Sequence, residues 1–153
     1  MTIDKIFKDV VKYYDVTIVN LINDKYEIPY MKAFIEFVNS KTYKMLENID
    51  LKMYEFSPLA IFDMWKNEKN NRYSPNLCLS KECWLMNKEM EFYIYLIEKY
   101  SEYKNVSTTD IVNKLEKLEL TDYIYSMYEM YHIEAIENVF NDIDRLIKEK
   151  ENN

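Results

Sequence analysis

The chain has 153 residues, of which 48% are hydrophobic and 31% charged, with a net charge of −7. That is long enough to bury a core without disulfides or metal ions, and the balance excludes extended disorder. No apolar run approaches the roughly 18 to 20 residues of a membrane span.

The charge is unevenly placed. Residues 1–76 carry 11 acids and 11 bases, whereas residues 77–153 carry 16 acids and 9 bases. With only two arginines, Arg72 and Arg145, and the whole acidic excess in the second half, nucleic acid is a poor ligand and a basic protein surface a better one. The opening Met1-Thr2-Ile3-Asp4-Lys5 lacks the apolar core of a signal peptide, so a cytoplasmic location is expected, with no membrane contact. Cys78 and Cys83 are expected to be reduced and structural.

The chain contains no glycine. This removes the phosphate-binding P-loop, the dinucleotide fingerprint and the nucleophile elbow, each of which needs a backbone free of Cβ. Tight hairpins are also disfavoured, and Asn23, Asn39, Asn48 and Asn105 are the candidates to end helices in place of glycine. The expected class is all-α: a helical bundle of about six to seven helices. It divides into an N-terminal lobe, residues 1–76, and an acidic, Tyr-rich C-terminal lobe, residues 77–153, which could also pack as one unit.

In chain order, Ile3, Phe7, Val10, Val11, Tyr14, Ile18, Leu21 and Ile22 recur at spacings of three and four, which predicts an amphipathic helix. Its β-branched stretch Val16-Thr17-Ile18-Val19 would also suit a strand, although no pairing partner is evident. Pro29 stands at a plausible first helical position before Met31, Phe34, Ile35 and Val38. A short helix is expected over residues 42–46. Ser57-Pro58 reads as an N-cap followed by proline at the first helical position, opening a helix to about Glu68. Residues 70–80 have no periodicity and form the predicted joint.

Helix resumes from Lys81, with Trp84, Leu85, Met90, Phe92, Tyr93, Tyr95, Leu96, Ile97 and Tyr100 apolar on more than one face. That pattern marks the most buried element or one that also meets a partner. Ser107 with Asp110 resembles a capping box at the start of the next helix. Thr121 is expected to cap another, carrying Tyr123, Ile124, Met127, Tyr128 and Tyr131. A last helix holds Ile136, Val139, Phe140, Ile143, Leu146 and Ile147 in register, and its Lys-Glu tail should fray.

Little here suggests chemistry. His132 is the only histidine, and a structural or interface role suits it better than acid–base catalysis. The two cysteines lack the spacing and the further ligands of a zinc site. Acids pair at Glu89 and Glu91, Glu134 and Glu137, and Asp142 and Asp144; they read first as solvated helix faces and only second as metal or acid–base carboxylates. No catalytic residue, cofactor or metal is therefore assigned. The tyrosines exceed what one core needs, and Tyr suits interfaces because it buries area at little entropic cost; AT-rich coding would also enrich them. Tyr95, Tyr125, Tyr128, Tyr131 and His132 are the expected partner contacts. A homodimer would use the same side chains.

The segment from Asn87 to Lys148 resembles a family of small bacterial proteins of unknown function. The likeness is carried by Met90-Glu91-Phe92-Tyr93-Ile94-Tyr95-Leu96-Ile97-Glu98, by Leu120-Thr121-Asp122-Tyr123-Ile124, and by Tyr128-Glu129-Met130-Tyr131-His132 leading to Asp142-Ile143. The resemblance implies a helical domain of the kind often encoded beside genes resembling ADP-ribosyltransferases, an arrangement suggestive of toxin and antitoxin. Residues 37–65, with Ser40-Lys41-Thr42-Tyr43-Lys44-Met45-Leu46 and Ser57-Pro58, look like a companion domain from the same gene clusters. The implied role is an antitoxin or immunity-like protein that occludes a toxin enzyme, without activity of its own. Two rival expectations are a phage or mobile-element inhibitor that blocks a host defence nuclease by acidic mimicry, and a helical metal-dependent enzyme built on carboxylates near Glu134 to Asp144.

Overall fold

The computed structural model describes residues 3–69 and 87–152, and within them every regular element is helical. The all-α expectation holds: nine α-helices are described, six of them seven residues or longer. The chain divides into two compact units, Met1–Met86 and Asn87–Asn153. The predicted joint at residues 70–80, both cysteines and the expected helix start at Lys81 lie outside the described residues.

In the first unit, α1 (Ile3–Tyr26) packs on α2 (Tyr30–Val38) and α4 (Pro58–Glu68), and α3 (Lys41–Leu46) closes against α2 and α4. Two 3₁₀ turns, Ile49–Leu51 and Met53–Glu55, link α3 to α4. The core is Ile18, Val19 and Ile22 of α1, Ala33, Phe34, Phe37 and Val38 of α2, Tyr43 and Leu46 of α3, and Ile61, Phe62 and Trp65 of α4. The β-branched stretch of α1 is helical because Ile18 and Val19 are buried there, and burial outweighs a few tenths of a kcal/mol of propensity. Thr17 accommodates its hydroxyl by donating to the Tyr13 carbonyl at 2.7 Å.

The helix starts are local. Ser57 Oγ accepts from Ala60 N–H with Pro58 at the first helical position, and Ser40 Oγ accepts from Tyr43 N–H. Glu68, at the far end of α4, adds a second cap to α3: its carboxylate accepts the N–H groups of Lys41 at 2.8 Å and Thr42 at 2.9 Å. Partial burial would raise its pKa, but these backbone donors, the Thr42 hydroxyl and Lys69 hold it below the ordinary value. Pro29 is the residue before α2 rather than its first helical residue, with an extended backbone.

In the second unit, α5 (Lys88–Lys104) is the central helix, packed by α6 (Thr108–Lys117), α7 (Thr121–Ser126) and α8 (Tyr128–Tyr131). Its buried set, Met90, Tyr93, Ile94, Leu96, Ile97 and Tyr100 with Glu98 and Ser101, covers more than one face, as its sequence pattern requires. The last helix, α9 (Ile136–Glu151), contributes Val139, Phe140, Ile143 and Ile147 to the core. Ser107 Oγ accepts from Asp110 N–H at 3.1 Å and starts α6. Thr121 is the first residue of α7 and not its cap; Leu120 precedes it and makes no side-chain capping bond.

Glycine's role at helix ends falls on other residues. Among the described residues the left-handed positions are Glu27, Lys52, Asn105 and Glu119. After α5, Asn105 N–H bonds the Glu102 carbonyl and Val106 N–H that of Ser101; after α6, Glu119 N–H bonds Glu116 and Leu120 N–H bonds Leu115. Both are Schellman closures. Of the four expected asparagines only Asn105 adopts this conformation. Asn39 ends α2 at φ −86°, Asn48 instead caps the first 3₁₀ turn, and the Asn23 side chain donates to the Ile28 carbonyl at 2.8 Å.

Candidate functional site

The second unit holds 15 acids and 8 bases and so carries the whole net charge of −7. Within it, residues 118–141 contain five acids, Glu119, Asp122, Glu129, Glu134 and Glu137, and no Lys or Arg. All five are exposed. No ion pair among the described residues involves any of them.

The same stretch exposes large apolar side chains: Ile133 is 78% exposed, Met130 63% and Tyr123 46%. Tyr123 is on α7, Met130 on α8, and Ile133 in the short connection to α9. That connection is locally weak, since Ala135 occupies the N-cap of α9 in extended conformation and its side chain has nothing with which to accept a bond. The alanine cap forgoes a bond that Ser or Asp would supply, and it lies within six residues of an exposed Ile and an exposed Met; such departures concentrate where a surface has a task.

An aromatic row supports this surface. Tyr95 and Phe92 on α5 have ring centroids 6.3 Å apart, Phe92 meets Tyr128 edge-on at 5.5 Å, and Tyr128 stacks on His132 at 4.5 Å and 10°. The i, i+4 spacing of Tyr128 and His132 produces that stack, and His132 Nδ1 lies 2.7 Å from the Tyr128 carbonyl. Three of the five residues singled out from the sequence, Tyr95, Tyr128 and His132, thus share one partly exposed row. Tyr125 lies beside Tyr93 at 6.1 Å, and its hydroxyl accepts from Asn87 Nδ2 at 2.9 Å, the same Asn87 whose Oδ1 caps α5.

Tyr131 is placed differently. It is only 6% exposed, and its hydroxyl donates to Asp142 on α9. Its position is beneath the surface, where it pins α9 to α8. Burial, the bond to Asp142 and the neighbouring Tyr123 push its pKa above the ordinary tyrosine value.

The paired carboxylates Asp142 and Asp144 serve this same framework. Asp142 also accepts from Arg145. Asp144 accepts from the Tyr100 hydroxyl at 2.5 Å and from Lys104 Nζ at 2.6 Å, joining α9 to the end of α5. Partial burial alone would raise both carboxyls, yet these donors hold each below the usual aspartate range. Lys104 lies over the Tyr100 and Tyr103 rings, and Tyr103 stacks on Phe140 at 5.0 Å. Residues two apart on a helix face different ways, which is why Asp142 reaches α8 while Asp144 reaches α5. Of the other expected acids, Glu134 accepts from Asn138 at 2.5 Å, and Glu89 and Glu91 lie in the first turn of α5, where the helix dipole favours them. No group of three or more His, Cys, Asp or Glu among the described residues is arranged to hold a metal ion.

A groove of about 410 Å³ lies between the end of α5, α6 and α9. Ile111 and Ile147 line it together with Lys104, Lys114, Asp144 and Glu151, and Lys114 pairs with Glu151 at 3.0 Å. Its lysines are balanced by carboxylates, so it favours neither an anion nor a cation.

Residues 91–150 match the model of a family described as a protein of unknown function, DUF3791. The matched stretch runs from the first turn of α5 to the last turn of α9 and coincides with the segment on which the resemblance rests. It includes the aromatic row and all of residues 118–141. No curated protein and no solved structure matches the chain. No helix among the described residues is long and apolar enough to cross a membrane.

Met130 and Ile133 are not among the contacts expected from the sequence; Tyr123 belongs to the tyrosine excess read there, although not to the five named contacts. A signal was present: the acid-rich stretch without Lys or Arg carries apolar residues in excess of one helical stripe.

Proposed function

We propose that this chain is a non-enzymatic module that binds a partner protein, acting as an antitoxin or immunity-like inhibitor of a toxin enzyme of the ADP-ribosyltransferase-like kind. The carrying observation is the stretch of residues 118–141, which exposes Met130, Ile133 and five carboxylates and contains no Lys or Arg. An apolar centre with a polar rim is the anatomy of a protein interface. The commitment of Asp142 and Asp144 to Tyr131, Arg145, Tyr100 and Lys104 supports the non-enzymatic reading, because it leaves no unengaged pair in α9 for acid–base work. The toxin identity rests on the family resemblance, and the cytoplasm is the compartment that goes with it.

The test is co-expression of the tagged chain with the genes beside it, followed by purification and sizing. A stoichiometric complex with an enzyme whose activity falls on binding is the expected result. A lone monomer, or a complex that leaves the enzyme fully active, refutes the inhibitor role. Nucleic-acid mimicry is the alternative that the acids also suit; it predicts a complex that dissociates as salt rises, whereas an interface anchored by Met130 and Ile133 persists.

A further inference from the structure

We infer that the occupant of this surface is a basic protein segment, with apolar side chains that seat on Met130 and Ile133 and Lys or Arg residues that meet the carboxylates around them; the inference rests on the partner-binding reading above. The argument is one of charge complementarity around an apolar centre. Glu129 and Glu134 flank the two apolar residues in sequence, and Asp122 and Glu137 extend the same sign on α7 and in the first turn of α9. With no Lys or Arg in residues 118–141, this stretch supplies no compensating charge of its own, and a partner can bring it.

A second copy of the same face is disfavoured for the same reason. In a two-fold dimer each patch meets itself, so the acids around Met130 and Ile133, Glu129 and Glu134 first, would face their own copies, and like charges across an interface are destabilising. An acidic or neutral apolar partner would strip water from these carboxylates without pairing them. A basic amphipathic segment satisfies both parts of the surface: apolar contact for Met130 and Ile133, and charge-assisted bonds for the acids.

The probe is a synthetic 18-residue helical peptide of Leu and Lys, with a twin carrying Glu in place of each Lys, titrated calorimetrically into the full chain. The variants are Met130→Ser with Ile133→Ser, and Glu129→Gln with Glu134→Gln. All four positions are exposed, so both variants should unfold as the wild type does. The Leu/Lys peptide is expected to bind and the Leu/Glu peptide not to. Loss of the two anchors should weaken binding about tenfold or more, the effect expected of central interface residues. The glutamine pair should weaken it most at low salt and little at high salt.

Equal binding of the two peptides, or binding indifferent to the loss of Met130 and Ile133, overturns the inference. So does self-association of the wild type that the serine variant abolishes, which would make a second copy the occupant. The two proposals fail separately. A co-expressed partner held equally well by the serine variant leaves partner binding standing and removes this site. Selective peptide binding without a co-purified enzyme keeps the basic-segment preference and removes the inhibitor role.

Discussion

Removing one hydroxyl from Tyr100 should weaken the attachment of α9 by a calculable amount. The Tyr100 ring is buried, and its hydroxyl donates to Asp144 across 2.5 Å. A hydrogen bond to a charged acceptor contributes about 1.5–3 kcal/mol. Asp144 in Tyr100→Phe keeps Lys104 at 2.6 Å, so the lower end applies, about 1.5 kcal/mol. For a unit of this size that corresponds to a drop of roughly 6–12 °C in its transition. Urea titration followed through the amide signals of α5 and α9 measures the loss directly.

The same change made in Asp144→Asn should cost much less, because the charged acceptor is already gone; the difference is the coupling energy. The sign of the pH dependence follows from the two shifts. Asp144 is held below its ordinary pKa, so its contribution is present above about pH 4, the unfolded aspartate value, and is lost as pH falls through the lower folded value. Tyr100 is pushed up, by burial first and by Asp144 second, so its contribution is present below about pH 10 and is lost above it. The cost of Tyr100→Phe should therefore be constant between these limits and shrink outside them. A cost below about 0.5 kcal/mol at neutral pH, or an undiminished cost beside Asp144→Asn, refutes the assignment of this bond as a tie between α5 and α9.

Three further changes test the local readings by thermal or urea unfolding. Ala135→Ser supplies an oxygen at the N-cap of α9 and should stabilise the second unit by about 1 kcal/mol, with an unchanged result arguing that the α9 start is satisfied otherwise. Glu119→Gly relieves a left-handed residue at φ 56° and should add about 1 kcal/mol, whereas Asn105→Gly at φ 54° should add less because asparagine tolerates that region; equal gains would refute the conformational argument.

Much of this architecture was legible before any coordinates because its signals act over a few residues. Ser57 with Pro58 and Ser107 with Asp110 specify helix starts through single side-chain bonds to backbone N–H groups, and α4 ends at Glu68 as its apolar period does. The absence of glycine excluded whole classes of site. The left-handed helix ends were misassigned in part, because closure is demanded by where a helix stops against its neighbours, and Glu27 and Glu119 accept that conformation when packing requires it.

The tyrosines show where local information runs out. Tyr128 and Tyr131 lie one turn apart in a four-residue helix, and nothing local distinguishes them. Tyr131 became core because Asp142, eleven residues on, returns along α9 to receive its hydroxyl, and Tyr128 stayed at the surface against Phe92 and His132. Helix periods and caps are short-range and can be read from the chain. Which side of a short helix faces inward, and so which apolar residues remain for a partner, depends on the docking of a helix that local spacing does not encode.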